Sequence, residues 1–405
     1  MSALELRASL ALASIFGLRL FGLFIILPVF ALYAEALPGW NLTLVGIALG
    51  AYGLTQALLQ IPFGWASDRL GRKPVMVFGL LVFATGSVVC AVAEAPWALI
   101  AGRTIQGAGA ISGVAIAMTA DLTRPSQRTK AMAIIGSTIG VVIAASFMVA
   151  PALKDAVGVP GIFAATAAMA LAAIAVVAWA VPALPAQPAI RELVPFSRVL
   201  GDPELLRLYL GIFALHAILM ALFLVVPLAL VRAGLPVASH SLFYLAVVGA
   251  GFVFMVPFVA SRRFAAHERA VFLGSVAVMG AGLAVTATGL GSLTVLSTGL
   301  VIFFAAFNVL EAKLPALVSK AAPGAARGAA GGVYSSVQFL GIFAGGAAGG
   351  ATAQHAGPGA LLAACFTLTA LWFVSAWPMG RMGREGEHEH EDNIGEPREP
   401  RAINP

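Results

Sequence analysis

LYLGIFALHAILMALFLVVPLAL, residues 208–230, carries no formal charge along its whole length. A helix rises about 1.5 Å per residue, so a run of this length crosses the roughly 30 Å hydrocarbon core of a bilayer. It is continuously apolar, whereas the strands of a membrane barrel alternate every second residue. Leu290–Phe307 is a second uncharged run. The whole chain repeats the pattern: of its 405 residues 60% are hydrophobic and 10% charged, with a mean hydropathy of +0.95. Soluble domains carry about 25% charged residues. At about 34 residues per span and loop, the length accommodates a dozen helices.

The spacing predicts spans near 8–33, 42–66, 74–94, 97–120, 130–152 and 161–181. A second set is predicted near 205–232, 241–261, 270–290, 293–318, 328–350 and 359–379. The expected fold is therefore an all-α membrane protein with twelve transmembrane helices in two pseudo-symmetric six-helix bundles. Its parts would be an N-terminal bundle over 1–181, an interdomain linker over 182–204, a C-terminal bundle over 205–380 and a disordered tail over 381–405. Prolines at 182, 185, 188, 195 and 203 mark the linker as extended. A weak repeat accompanies the division. Ile61-Pro62-Phe63 followed by Ser67-Asp68-Arg69 has an echo in Val256-Pro257-Phe258 and Ser261-Arg262-Arg263. Parallel repeats of this kind put a substrate site between the halves, near the midplane.

Lys and Arg set the sides. With the N-terminus inside, 19 of the 24 basic residues fall in cytoplasmic loops, the linker and the two ends, against Lys154 and Arg232 outside. Both termini are thus expected in the cytoplasm. The net charge of +6 is scattered between apolar runs, which excludes a nucleic-acid surface. The two cysteines, Cys90 and Cys365, sit in apolar runs and offer neither a disulfide framework nor a metal knuckle. The first apolar run is too long for a cleavable signal peptide. The run Glu387-His388-Glu389-His390-Glu391-Asp392 in the tail has no fixed ligand geometry and reads as solvated, with weak metal collection as the alternative.

The segment between spans two and three, Gly64-Trp65-Ala66-Ser67-Asp68-Arg69-Leu70-Gly71-Arg72-Lys73-Pro74, resembles the loop signature of the major facilitator superfamily. Arg103-Thr104-Ile105-Gln106-Gly107-Ala108-Gly109 resembles that superfamily's arginine motif, and Asp121 to Arg128 a third motif at the exit of span four. Span one, with Arg19, Gly22 and Pro28, is similar to the drug:proton antiporter branch. Phe16-Gly17-Leu18-Arg19, Tyr52-Gly53-Leu54-Thr55-Gln56, Phe307-Asn308-Val309-Leu310-Glu311 and Gly332–Gly341 resemble its YajR-type subgroup. Members of that subgroup carry a folded domain after the last helix, whereas here a short acidic tail follows. In span five the branch's Gly-Pro-x-x-Gly-Gly pattern is degraded to Gly136, Gly140 and a later Pro151.

The resemblance implies alternating access, with Gly64, Asp68, Arg69, Gly71, Arg72, Asp121 and Arg128 as a gating latch. Asp68, at a helix end, could meet a neighbouring helix N-terminus or a base, and Arg72 is expected to pair with Asp121. The bland alternative for the bases is obedience to the positive-inside rule. Charges within spans are costly, about 2.5–3.5 kcal/mol each on insertion scales, and mark function. Arg19, Arg103, Glu311 and Lys313 are those charges. With Gln106, His216, Met220 and Asn308 they form the candidate coupling site and substrate cavity. Arg103 could equally be a hydrogen-bond hub, Glu311 part of a fixed ion pair, and His216 a buried ring bonded to a carbonyl. His216 with Met220 would make an incomplete soft-metal site. Glycines 341, 345 and 349, and glycines 46 and 50, recur every four residues as candidate sliding seams.

The expected function is secondary transport of a small molecule across the bacterial inner membrane, by proton-coupled efflux (antiport). The chain is expected to be a monomer that uses protons and no cofactor or resident metal, and to have no enzymatic residues. No Gly-Lys-Ser/Thr phosphate loop occurs, which excludes an ATP-driven pump. The alternatives are a facilitator importing a nutrient, anionic compound or metal complex, and a non-transporting receptor or assembly factor. Three buried bases against one buried acid suit an anionic ligand better than a cationic drug.

Overall fold

The structure, a computed structural model, describes residues 1–35, 39–182, 199–261, 264, 267–323 and 326–379. Its α-helices are α1 (Ala3–Phe24), α2 (Leu27–Glu35), α3 (Leu42–Leu70), α4 (Arg72–Ala91), α5 (Pro96–Ala108) and α6 (Ser112–Asp121). Then follow α7 (Arg128–Trp179), α8 (Pro203–Arg232), α9 (His240–Ala260), α10 (Glu268–Thr288), α11 (Leu293–Ala321) and α12 (Arg327–Ala376). No strand occurs among the described residues. Local chemistry sets several helix starts. The Glu5 backbone N–H donates to the Ser2 hydroxyl at 3.2 Å, while the Glu5 carboxylate accepts from the Ser2 backbone at 2.6 Å. Asn41 caps α3, and Asp202 caps α8 ahead of Pro203 at its first turn.

These helices do not map one to one onto the expected spans. The first span is interrupted at residues 25–26, between α1 and α2, and the fourth at Gly109–Ile111, between α5 and α6. Conversely, spans five and six run together as the 52 residues of α7, and spans eleven and twelve as the 50 residues of α12. Each long helix leaves helical geometry at one glycine with positive φ, Gly158 at 70° and Gly357 at 86°, a conformation that a side chain would strain. Ten segments are long and apolar enough to cross a membrane. Fifty residues of straight helix would run about 75 Å, more than twice the hydrocarbon core, so α7 and α12 divide at these glycines and each supplies two crossings.

The sequence echo has a structural counterpart. Lys73, at the start of α4, donates to the carbonyl of Val181 just beyond α7, at 2.6 Å. Half a chain later Arg269, at the start of α10, donates to the carbonyls of Met379 at 2.9 Å and Trp377 at 2.5 Å, just beyond α12. In both halves a cation thus satisfies orphan carbonyls at a helix C-terminus. Pro62 in α3 and Pro257 in α9 also occupy matching positions. Most of the expected linker, at 183–198, and the whole expected tail, 381–405, lie outside the described residues, as do Arg262 and Arg263.

The halves meet at one end. There α3 packs directly on α12, and a Cβ on Gly46 would overlap the carbonyl oxygen of Gly346. The Leu42 backbone N–H donates to Gln354 Oε1 at 2.9 Å. Phe147 of α7 stacks with Phe223 and Tyr244 of the other half, with ring centroids 5.1 and 5.9 Å away. At the opposite end, which carries Gly71, a Cβ on Gly64 of α3 or on Gly328, Gly331 or Gly332 of α12 would meet no atom within 4 Å. The glycine row 341 and 345 packs on Phe213 and Ala217 of α8 within its own half. The seam between halves is therefore the expected row of Gly46 and Gly50 on α3 against Gly346 and Gly350 of α12, one residue round from the 341 and 345 row.

Candidate functional site

The loop end is built around Arg72. Its Nε donates to Asp121 Oδ2 at 3.0 Å, its Nη1 to the Ser67 hydroxyl at 2.6 Å, and its Nη2 lies 2.6 Å from Asp68 Oδ1. The expected Arg72–Asp121 pair is present, with both side chains buried. Breaking a buried pair of this kind costs about 3–5 kcal/mol, because it strands the remaining charge. Asp68 is different: it is half exposed, and its ion pair lies within its own bundle. Gly64 and Gly71 flank this group, and the Arg69 guanidinium lies 3.9 Å from the Trp65 ring centroid. For Arg128 only the backbone is described, as the first residue of α7. Glu5 gives a second tie, accepting from Arg124 Nε at 2.9 Å and Nη2 at 3.1 Å.

Halfway down the first bundle, two buried guanidiniums share one aromatic ring. Arg19 of α1 and Arg103 of α5 lie 5.8 and 4.9 Å from the centroid of Tyr52. Such contacts contribute about 0.5–2 kcal/mol each. Neither guanidinium meets a carboxylate among the described residues. Arg103 Nη1 donates to Gln106 Oε1 at 2.6 Å and its Nε to the Ala48 carbonyl at 3.4 Å, and Gln106 Nε2 donates to the Ser87 hydroxyl at 2.7 Å. A Cβ on Gly107 would collide with the Tyr52 carbonyl, so this glycine lets α5 close on α3. Arg103 is fully enclosed, the geometry of a hub between α3, α4 and α5. Arg19 Nη1 donates to the Ser112 hydroxyl at 2.6 Å and its Nη2 to Gln56 Oε1, and Gln56 Nε2 donates to Gln60 Oε1 at 2.7 Å.

The second bundle holds the acid. Glu311 of α11 lies 3.8 Å from His216 Nε2 of α8, and the amide nitrogen of Gln338 on α12 lies 2.8 Å from the same ring atom. The His216 ring also packs near Phe307. Glu311 Oε2, Asn308 Nδ2 and the Tyr334 hydroxyl are buried without a hydrogen-bond partner. Three candidates, His216, Asn308 and Glu311, thus lie on one polar patch, on α8 and on one face of α11. Lys313 turns away, as its two-residue offset requires, toward the charges of Glu268 and Lys320 near the loop end. Met220 is buried in α8, and the described partners of His216 are Gln338, Glu311 and Phe307. No group of three metal-ligating residues occurs among the described residues. A separate apolar slot of about 600 Å³, lined by Phe254, Phe258, Val278 and Val309, faces outward between α9, α10 and α11 and takes in neither Glu311 nor His216.

Sequence reasoning passed over Gln60 and Ser112 and noted Tyr52, Gln56, Tyr334 and Gln338 only for their resemblance to a family. Two glutamines four apart in an apolar span are a legible signal, since they must share one helix face. The contact between Tyr52 and Phe339 across the bundles, at 6.2 Å, had none.

Two helical bundles apposed at one end, with buried charges between, define a membrane transporter that works as a secondary carrier. The chain belongs to the major facilitator superfamily, whose sequence profile matches residues 12–346. It is 41% identical over 323 residues to the inner membrane transport protein YajR of Escherichia coli K12, covering 79% of this chain and 71% of YajR. A stretch of 131 residues is 35% identical to the multidrug resistance protein MdtH of Edwardsiella ictaluri, covering 29% and 33% of the two chains. The fold matches that of a bacterial homolog of the human lysosomal transporter Spinster, crystallised inward-facing and occupied. That match has a TM-score of 0.73 at 14% identity, over 93% of this chain and 97% of the other.

Proposed function

We propose that the chain exports a small molecule across the bacterial inner membrane in exchange for protons, with the Gly71 end in the cytoplasm. The observation that carries this reading is Glu311: a carboxylate set deep in a span, without a hydrogen bond, 3.8 Å from His216. Such a group exchanges a proton with whichever side the cavity opens to. The charge bias of the loops supports the orientation, which makes the described conformation open to the cytoplasm. The names borne by YajR and MdtH agree with inner-membrane transport and with efflux. One proton at 100 mV supplies about 2.3 kcal/mol, and a tenfold gradient needs about 1.4 kcal/mol, so one proton sustains a gradient of a few tens-fold. In energised everted vesicles bearing a pH-sensitive dye, at least one compound from a panel of metabolites and drugs is expected to trigger proton release. No proton release with any compound, together with uptake of a compound into right-side-out vesicles down its own concentration gradient, would make the protein an importing facilitator instead.

In this reading Asp68 fastens the cytoplasmic end when the transporter opens outward and is released in the present conformation, where it reaches only Arg72. Asp68→Asn is therefore expected to move the resting population toward the cytoplasm-open form. Single cysteines on the cavity-facing side of α3 near Gly64 should then label faster with a maleimide. Unchanged labelling would leave Asp68 without a gating role.

A further inference from the structure

We propose that the Arg19–Gln56–Gln60–Ser112 cluster binds an oxyanion, a carboxylate or phosphate group carried by the transported molecule. The proposal rests on the transport reading above and names its substrate class. The acceptors within the cluster are each engaged by a donor of the cluster, and donors are left over. Arg19 is 2% exposed and uses two of its five N–H bonds on neutral acceptors, while its Nε has no partner. Its charge meets no carboxylate among the described residues, and the second guanidinium, Arg103, shares the Tyr52 ring with it. A buried cation in low dielectric is costly until an anion arrives.

The hydrogen bonds also have a direction. Arg19 donates to Gln56 and Gln56 donates to Gln60, so the chain ends on Gln60 Nε2, which is buried and has no acceptor. A chain that starts at a cation polarises each successive donor. Gln60 lies one helical turn beyond Gln56 toward the open end of α3, so the relay presents an unfilled N–H on the side from which a ligand comes. Ser112 accepts from Arg19, which leaves its own proton to donate. Arg19 Nε and Gln60 Nε2 are thus buried donors without an acceptor, with the Ser112 proton beside them, and an oxyanion supplies acceptors only. Glu311, the acid proposed to carry the proton, lies in the other bundle, so the two bundles divide the work: oxyanion in the first, proton in the second.

The test is equilibrium binding to the purified full-length protein, with acetate, benzoate and phenylphosphate as probes. Each is paired with a neutral analogue, acetamide, benzamide and benzyl alcohol, at constant ionic strength. At least one anion is expected to bind, with its neutral partner at least ~10-fold weaker. Arg19→Gln should weaken that anion by at least ~30-fold, as for loss of one member of a buried charge pair, and Arg19→Lys should restore part of it. Absence of binding by all three anions, equal binding of neutral analogues, or undiminished binding by Arg19→Gln would overturn the proposal. The wild-type comparison needs no variant, so a misfolded Arg19→Gln leaves the test in place. No gradient is applied, which separates the two readings. A protein driven by the pH gradient but indifferent to anions refutes the oxyanion site alone, and one that binds anions without proton coupling refutes the exchange alone.

Discussion

Glu311→Gln is expected to abolish the dependence of transport on the pH gradient while leaving expression and fold intact. The substitution is nearly isosteric, and Glu311 Oε2 makes no hydrogen bond whose loss would unfold the bundle. What disappears is the proton-accepting group. Carriage against a gradient, worth about 2.3 kcal/mol per proton at 100 mV, should fall from a few tens-fold accumulation to simple equilibration. Reconstituted vesicles with an imposed pH gradient provide the measurement. A mutant that still concentrates substrate with normal gradient dependence would make Glu311 structural and move the proton site to His216.

The second large effect is expected at the closed end. Gly46→Val inserts a branched side chain where even a Cβ overlaps the Gly346 carbonyl oxygen and lies 2.9 Å from the Gly350 Cα. These are backbone atoms, so no rotamer change relieves the clash. Overpacking costs about 1–3 kcal/mol, which shifts a two-state equilibrium by about fivefold to somewhat over a hundredfold. The population should move to the form open at this end, and turnover should fall by a comparable factor, since each cycle requires the seam to close. A cysteine at Gln354, whose side chain bridges to Leu42 across the seam, should label faster with an impermeant reagent. Gly249→Ala on α9, where nothing lies within 4 Å, is the control expected to change neither quantity. Unaltered labelling and turnover in Gly46→Val would show that this seam stays shut through the cycle.

The contacts of Arg72 were legible because their chemistry is local. Asp68 and Arg72 are four residues apart, and Asp121 ends the span that carries the arginine motif, so the Arg72–Asp121 pair follows from motif and topology. Glu311 and His216 were legible one by one, since charge and imidazole are conspicuous in apolar spans. That Gln338 contacts His216, and that Lys313 turns to Glu268 instead, depends on how α8, α10, α11 and α12 are rotated about their axes. Helix rotation is set by packing over the whole bundle, to which no short motif points. The same cause placed the α12 side of the seam one residue round from the 341 and 345 row.

By itself the sequence determined that the chain is a helical membrane protein of about a dozen crossings in two related halves, because hydrophobic length and loop charge are read off linearly. It also determined which charges lie within spans, since a charged residue in an apolar run is visible as such. The tertiary structure alone decided the partners of those charges: neutral amides and a hydroxyl for Arg19, an enclosed hub for Arg103, an imidazole for Glu311. It alone decided which end is closed as well. Both are contacts between residues far apart in the chain, and in a bundle of nearly uniform apolar helices their energies differ only through shape and hydrogen-bond geometry, which exist once the helices are packed.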